Sequence, residues 1–158
     1  MHFDLNDYSG STPTCTLTLT NTSDEIVAFK IKTTSPKRYW VKPNQELLLA
    51  GASISVTFVL HAKEALAMVE QPLSTIDKFL IATVLADEAF VSAINAARSS
   101  SVEFQRVFIT KWAMTDKTDI MNQRLNCTFS LSETDPTELG DGSLDERDSV
   151  YRGKVKVE

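Results

Sequence analysis

The chain has 158 residues, 42% of them hydrophobic, and this length suits one domain with a single core. Its formal net charge of −5 argues against a nucleic-acid-binding surface. Residues 132–158 carry eight acidic and four basic side chains, and their few apolar residues show no period. We therefore predict a domain over residues 1–131 and an acidic, disordered tail over residues 132–158.

Motifs of the common enzyme and metal-binding classes are missing from the sequence. Cys15 and Cys127 stand in no CxxC or Cys/His cluster, and no GxSxG, GxGxxG, P-loop or HExxH motif occurs. His61 has no cysteine or carboxylate at catalytic spacing, and His2 lies in a terminus that we expect to be frayed. We therefore expect no enzyme activity, no cofactor and no metal.

The sequence also predicts the cellular compartment and whether the chain crosses a membrane. Two isolated cysteines fit a reducing, cytoplasmic compartment. The first residues lack the basic and apolar regions of a signal peptide. No apolar run reaches the roughly 18–20 residues that a membrane-spanning helix needs, so we expect no direct membrane span in this chain.

Short alternating strands dominate the first sixty residues. Over Cys15–Thr20, the residues Cys15, Leu17 and Leu19 share one face and threonines share the other. Prolines and polar breaks separate further short strands at a spacing of about ten residues, which favours an antiparallel sandwich. These strands are Ile26–Thr33, with Val27, Phe29 and Ile31 directed inward, then Tyr39–Val41, Leu47–Leu49 and Ile54–Leu60.

The middle of the chain mixes helical and extended patterns. His61–Gln71 is rich in helix-forming residues. Asp87–Arg98 begins with two acidic residues and ends with an arginine, which complements a helix dipole. We predict that it forms an amphipathic helix, whereas Val102–Met114 fits either a helix or a strand. The apolar face of the predicted helix consists of Phe90, Ala93, Ile94 and Ala97.

Five basic residues gather between Ile26 and Gln45, where no acidic residue occurs. Charge of one sign on a single strand-and-turn segment is expected where an acidic partner is recognised. The same lysines also suit a solvated strand edge that discourages aggregation, and charge alone does not separate the two interpretations. The residues are Lys30, Lys32, Lys37, Arg38 and Lys42.

Several blocks of sequence carry a family resemblance. They are FKIKTTSP at Phe29–Pro36, the pattern Arg38-Tyr39-x-Val41-x-Pro43-Asn44, AGASISV at Ala50–Val56, DKFLI at Asp77–Ile81 and DIMNQRLNC at Asp119–Cys127. In this order they resemble the major sperm protein (MSP) domain of the VAMP-associated proteins, the VAP family. The resemblance runs from about Cys15 to Leu131. It implies an all-β, seven-stranded immunoglobulin-like sandwich with a helical insertion, at about residues 84–114, before the last strand.

One strand of this fold can be placed in two registers. The resemblance assigns it to Asp77–Thr83, and the alternative assigns it to Arg106–Trp112. We prefer the first because Trp112 then falls where family members often carry a tryptophan.

The resemblance to VAP proteins also implies a function, the binding of FFAT-type peptides with two phenylalanines in an acidic tract. Lys30, Lys32 and Lys78 would meet the acidic flank, and Arg124 would extend the positive surface. Thr33 and Thr34 offer hydroxyls to carboxylates or phosphate, while Val41 and Leu80 would line an apolar site for the aromatic anchor. Leu80 stands where relatives often have methionine, and Asn126 stands where some relatives are basic.

The implied partners are lipid-transfer or tethering proteins at membrane contact sites, on the cytosolic face of the endoplasmic reticulum. A homodimer is compatible with the resemblance. Family members commonly continue into a coiled coil and a membrane anchor, neither of which is evident in this sequence. The alternative function is a self-associating structural protein like the nematode MSP, and a third is a scaffold that uses the helical insertion. The KTT block and Lys78 favour the peptide-binding function.

Overall fold

The computed structural model describes residues 1–5, 12–71, 76–130 and 155–158. These ranges contain ten β-strands, three α-helices and one short 3₁₀ helix, Lys117–Asp119. The helices are α1 (Ala62–Glu70), α2 (Glu88–Ala97) and α3 (Ser101–Met114). The strands are β1 (His2–Asp4), β2 (Thr14–Asn21), β3 (Val27–Thr33), β4 (Tyr39–Lys42), β5 (Gln45–Leu48), β6 (Ser53–Leu60), β7 (Lys78–Leu85), β8 (Met121–Asn126), β9 (Thr128–Ser130) and β10 (Val155–Val157).

Two four-stranded antiparallel sheets form the sandwich. Sheet 1 has the strand order β10-β2-β6-β4, and sheet 2 has the order β5-β3-β7-β8. Their facing sides enclose a core in which Phe58 and Phe79 meet edge to face, with ring centroids 5.0 Å apart. The predicted all-β immunoglobulin-like sandwich is confirmed, although the strands outnumber the seven that were predicted.

The outer side of sheet 2 is divided between helices and open surface. Along β3, Val27 and Phe29 are buried in the core and the partly buried Ile31 packs against it, so all three point inward as predicted and the residues between them face outward. Helices α2 and α3 cover one end of this outer face and form a second core with it. That core contains Ala28, Leu47 and Val84 from the sheet and Phe90, Ile94 and Phe108 from the helices.

The helical insertion agrees with its prediction in most details. The Asp87 carboxylate caps α2 by accepting a hydrogen bond of 2.8 Å from the Phe90 N–H. Phe90, Ile94 and Ala97 are buried as predicted, but Ala93 is exposed because it lines a groove between α2 and α3. Val102–Met114 is helical, and β7 covers Asp77–Thr83 except its first residue. The preferred strand register is therefore confirmed.

Both ends of the described chain are more ordered than the sequence predicted. His2 does not fray, because β1 pairs in parallel with β9 and buries Met1, Phe3 and Leu5. Residues 155–157 form β10 beside β2, which corrects the prediction of disorder for that part of the tail. The rest of the predicted tail, up to residue 154, lies outside the described residues. In the ranges that the structure describes, no helix is both long and apolar enough to cross a membrane.

Candidate functional site

A row of three side chains crosses the open end of sheet 2. Lys32 of β3 is the register partner of Leu80 of β7, which in turn is the partner of Arg124 of β8. Residues opposite one another in a ladder project from the same face. Lys32 and Arg124 are exposed, and Leu80 between them is half-buried. The outer face therefore presents an apolar side chain flanked by two cations.

Six of the eight predicted binding residues line one pocket of about 300 Å³ beside this row. Within the described ranges, its three cations Lys32, Lys78 and Arg124 form no ion pair. Their charge is therefore not neutralised by neighbouring carboxylates there, and the pocket favours an anionic ligand. We call this site the basic pocket; it is lined by Lys32, Thr33, Thr34, Lys78, Phe79, Leu80 and Arg124.

The two threonines of the pocket, Thr33 and Thr34, have different hydrogen-bonding roles. Thr34 Oγ1 accepts a 3.1 Å hydrogen bond from the Lys78 N–H, and the Thr34 N–H donates to the Lys78 carbonyl at 3.1 Å. Thr34 thus ties the end of β3 to the start of β7. Thr33 Oγ1 accepts from the Ser35 N–H at 3.1 Å, which leaves its own proton available to a ligand.

A buried carboxylate holds the turn that follows these threonines. Asp77, only 3% exposed, accepts hydrogen bonds from Arg38 at 2.6 Å, Ser35 at 2.7 Å and Tyr39 at 2.5 Å. Burial raises the pKa of Asp77, but the hydrogen bonds from Arg38, Tyr39 and Ser35 outweigh it and hold the pKa below its ordinary value. Arg38 is therefore a structural cation and differs in this from the other basic residues between Ile26 and Gln45.

The role of Asp77 was missed from the sequence. Its only signal was its position directly before Lys78 in the DKFLI block. From the sequence alone, the Asp77 carboxylate would be expected to neutralise the charge of the neighbouring Lys78. The structure shows instead that it faces the opposite way, into a network with the turn at Ser35 and Arg38.

Lys30 lies on the same face as Lys32 but does not line the basic pocket. It lies two residues closer to the helices, where its Nζ is 5.3 Å from the centroid of the Trp112 ring. Burial, and secondly the charge of Lys32, lower the pKa of Lys30. Lys30 therefore marks the border between the basic pocket and α3.

Val41 lies away from the pocket, and its predicted role as a pocket residue is corrected. It belongs to β4 of sheet 1 and packs, half-buried, against the core between the sheets. The reason is the alternation along β4: Tyr39 and Val41 face the core, whereas Trp40 between them is 52% exposed.

The match to a family model decides the family. Residues 5–101 match the model of the MSP (Major sperm protein) domain, which is more than half of the chain. The chain belongs to the MSP domain family. Its predicted resemblance to the VAP proteins is confirmed by the names of its relatives.

Two relatives illustrate the similarity. The chain is 38% identical over 96 residues to Vesicle-associated protein 1-3 of Arabidopsis thaliana, covering 59% of this chain and 38% of that protein. It is 32% identical over 118 residues to Vesicle-associated membrane protein-associated protein B of Sus scrofa, covering 75% of this chain and 41% of that protein. The chain thus spans about two fifths of the length of these relatives.

A solved structure supports the sandwich fold alone. The CupB2 chaperone of Pseudomonas aeruginosa aligns with a TM-score of 0.50 at 13% identity. The alignment covers 90% of this chain and 58% of the chaperone. At this level of identity the likeness concerns the arrangement of strands and carries no inference about binding.

Proposed function

We propose that this MSP domain is a non-enzymatic adaptor that binds short, acidic, FFAT-like peptides in the basic pocket. The observation that carries the proposal is the row formed by Lys32, Leu80 and Arg124, in which two exposed cations flank one apolar side chain. An acidic segment with an aromatic anchor matches this pattern in both charge and polarity.

The size of the pocket fits the anchor. The pocket volume of about 300 Å³ lies at the lower end of the range for small-molecule sites. It is large enough for one aromatic side chain. Leu80 provides the apolar contact for the ring. Lys32, Lys78 and Arg124 surround it at the rim, where they attract the flanking carboxylates.

The cellular role that we propose follows from the same partner chemistry. Peptides of this kind are expected on lipid-transfer and tethering proteins, and the adaptor would hold them at membrane contact sites on the cytosolic face of the endoplasmic reticulum. The role rests on the resemblance to the VAP family, which the names of the relatives support.

The decisive experiment is a titration with a fluorescent peptide that carries two phenylalanines in an acidic tract. K32D/K78D should weaken binding by more than about tenfold, because attraction becomes repulsion at two rim positions. The matched control is K63D/K117D, which changes the net charge equally at exposed lysines outside the pocket.

Two further comparisons make the result specific. A peptide with both phenylalanines changed to alanine should bind weakly even to the wild-type chain. Equal losses in K32D/K78D and K63D/K117D, with unchanged circular dichroism, would show that only overall charge matters and would refute the assigned pocket.

A further inference from the structure

Strand β10 occupies one edge of the sandwich, next to β2. The two strands are antiparallel, with Lys156 opposite Thr20 and Val157 opposite Leu19. Thr18 and Glu158 exchange two backbone hydrogen bonds of 2.8 and 2.7 Å. Val155 is fully buried and Val157 is 7% exposed, and both belong to the main core. A three-residue strand therefore completes the core at this edge.

Sheet 2 also contacts β10, through the side chain of Gln123 in β8. This side chain is only 3% exposed, and its amide nitrogen donates a hydrogen bond to the Val155 carbonyl. If β10 left, the buried amide and the edge of β2 would both lose hydrogen-bond partners, and core side chains would meet water. We call this place the strand groove; it is formed by β2 and Gln123, and it accepts an extended segment of the pattern apolar–x–apolar.

We propose that the strand groove also binds the β10 strand of a second copy of this chain, so that two chains exchange β10. The connection between β9 and β10 allows it. Residues 131–154 number 24, and 24 extended residues span about 80 Å, whereas the radius of gyration expected for a domain of this size is about 15 Å. A connection of 24 residues is therefore long enough in principle for β10 to reach the groove of a second copy.

The protein concentration determines the balance between the monomer and the exchanged dimer. Each exchanged groove contains the same strand contacts as before, so burial and hydrogen bonding are retained in the dimer. A strand attached to its own chain competes at an effective concentration on the order of millimolar. Exchange should therefore increase as the protein approaches that concentration.

Cysteine trapping in the intact chain tests the proposal. Thr20 and Lys156 are register partners on the outward side of the two strands, and both tolerate substitution because neither is buried. The variants T20C and K156C are mixed in equal amounts at high concentration and oxidised. A disulfide between the two variants forms when β10 of one chain lies in the groove of the other, since it requires Cα atoms within about 7 Å.

The matched control is T16C mixed with K156C. Thr16 is exposed on the same strand but lies beyond the pairing with β10. Both mixtures retain the half-buried Cys15 and the buried Cys127, so any cross-link through these thiols contributes to both mixtures alike. Burial raises the pKa of the Cys127 thiol to about 12, which disfavours its reactive thiolate form. We expect roughly ten times more cross-linked pair from T20C with K156C than from the control, because only the former brings the sulfurs within bonding distance.

The double variant T20C/K156C separates the possible outcomes. It should cross-link within one chain at low concentration, which verifies the register of β10. Efficient cross-linking inside the double variant, together with equal yields from the two mixtures, would show that β10 stays in its own groove and would overturn the exchange. Absence of any cross-link in the double variant would overturn the groove itself.

Discussion

Arg38 Nη1 lies 2.6 Å from each carboxylate oxygen of Asp77, so one buried ion pair joins the basic turn to the first residue before β7. The Tyr39 hydroxyl donates to the same carboxylate, and the Asp77 carbonyl accepts from the Cys127 N–H at 3.0 Å. Three separate segments therefore converge on one residue. The geometry of the basic pocket depends on this convergence, because Thr34 and Lys78 are on the segments that it joins.

The first prediction concerns the stability that Asp77 provides. The Asp77→Asn variant should lower the free energy of unfolding by about 3 kcal/mol, since it leaves a partly buried cation without its counter-charge. Urea denaturation monitored by circular dichroism measures the change. Glu64→Gln is the matched control, because Glu64 contacts the same guanidinium at 3.5 Å but is more exposed. It should cost less than about 1 kcal/mol, and equal losses would contradict the prediction.

The second prediction is the pH dependence of that stability. The folded-state pKa of Asp77 is lowered, so its contribution is fully present above the ordinary aspartate pKa of about 4. It is lost as the pH falls through the lowered folded-state value, because protonation removes the ion pair. The stability difference between wild type and Asp77→Asn should therefore shrink as urea titrations move from neutral to strongly acidic pH. A constant difference would mean that the charge of Asp77 is unimportant.

The third prediction concerns Leu80 and rests on the proposed function. Leu80→Ala should weaken binding of the acidic peptide by about 2 kcal/mol, because the aromatic anchor loses its apolar contact. Leu80→Met conserves volume and polarity and should stay within about 0.5 kcal/mol. Fluorescence titration of both variants gives the comparison. If alanine and methionine bind the peptide equally well, Leu80 is not the floor of the anchor site.

The fourth prediction is the salt dependence of peptide binding. Exposed charges are screened over about 10 Å at 0.1 M salt and about 3 Å at 1 M salt. Affinity of the wild-type chain should therefore fall over this range, and mainly through a slower association rate. The K32D/K78D variant should show a weaker or reversed dependence, because salt then screens repulsion at two rim positions. Stopped-flow measurements that show the same salt slope in both proteins would argue against steering by the basic pocket.

The fifth prediction concerns Trp112. Its Nε1 is buried and, within the described ranges, has no hydrogen-bond partner. Trp112→Phe removes this unsatisfied donor but keeps an aromatic ring beside Lys30, so stability should be unchanged or slightly higher. Trp112→Ala should lower the free energy of unfolding by about 2 kcal/mol through lost packing. Equal destabilisation by both variants, measured in urea, would show that the indole N–H is satisfied.

Much of the fold and of the basic pocket was predictable because the informative sequence blocks are local. Alternation in Cys15–Thr20 placed Leu19 in the core and turned Cys15 and Leu17 toward it, where they are partly buried. The resemblance named Lys32, Leu80 and Arg124 from three separate blocks, and strand pairing places them in one row. The sequence alone could not show this row, because register between strands is a property of the folded sheet.

The failures share a different cause, the dependence of short segments on tertiary contacts. Val41 lies in a four-residue strand whose alternation turns Tyr39 and Val41 toward the core, and the resemblance could not show that this strand pairs in sheet 1, away from the pocket. Val155–Val157 has only two apolar residues, too few to indicate a strand without the groove that receives them. Asp77 was missed because its partners lie about forty residues earlier in the chain.

The second core has a consequence for the order in which the molecule assembles. The surface that α2 and α3 cover is composed of Ala28 from β3, Leu47 from β5 and Val84 from β7, so it exists only after these three strands have paired. The helices can therefore detach while the sheet persists, but the sheet cannot come apart beneath docked helices. Backbone amides of α2 and α3 should then exchange with solvent deuterium at least as fast as those in the centre of β3 and β7.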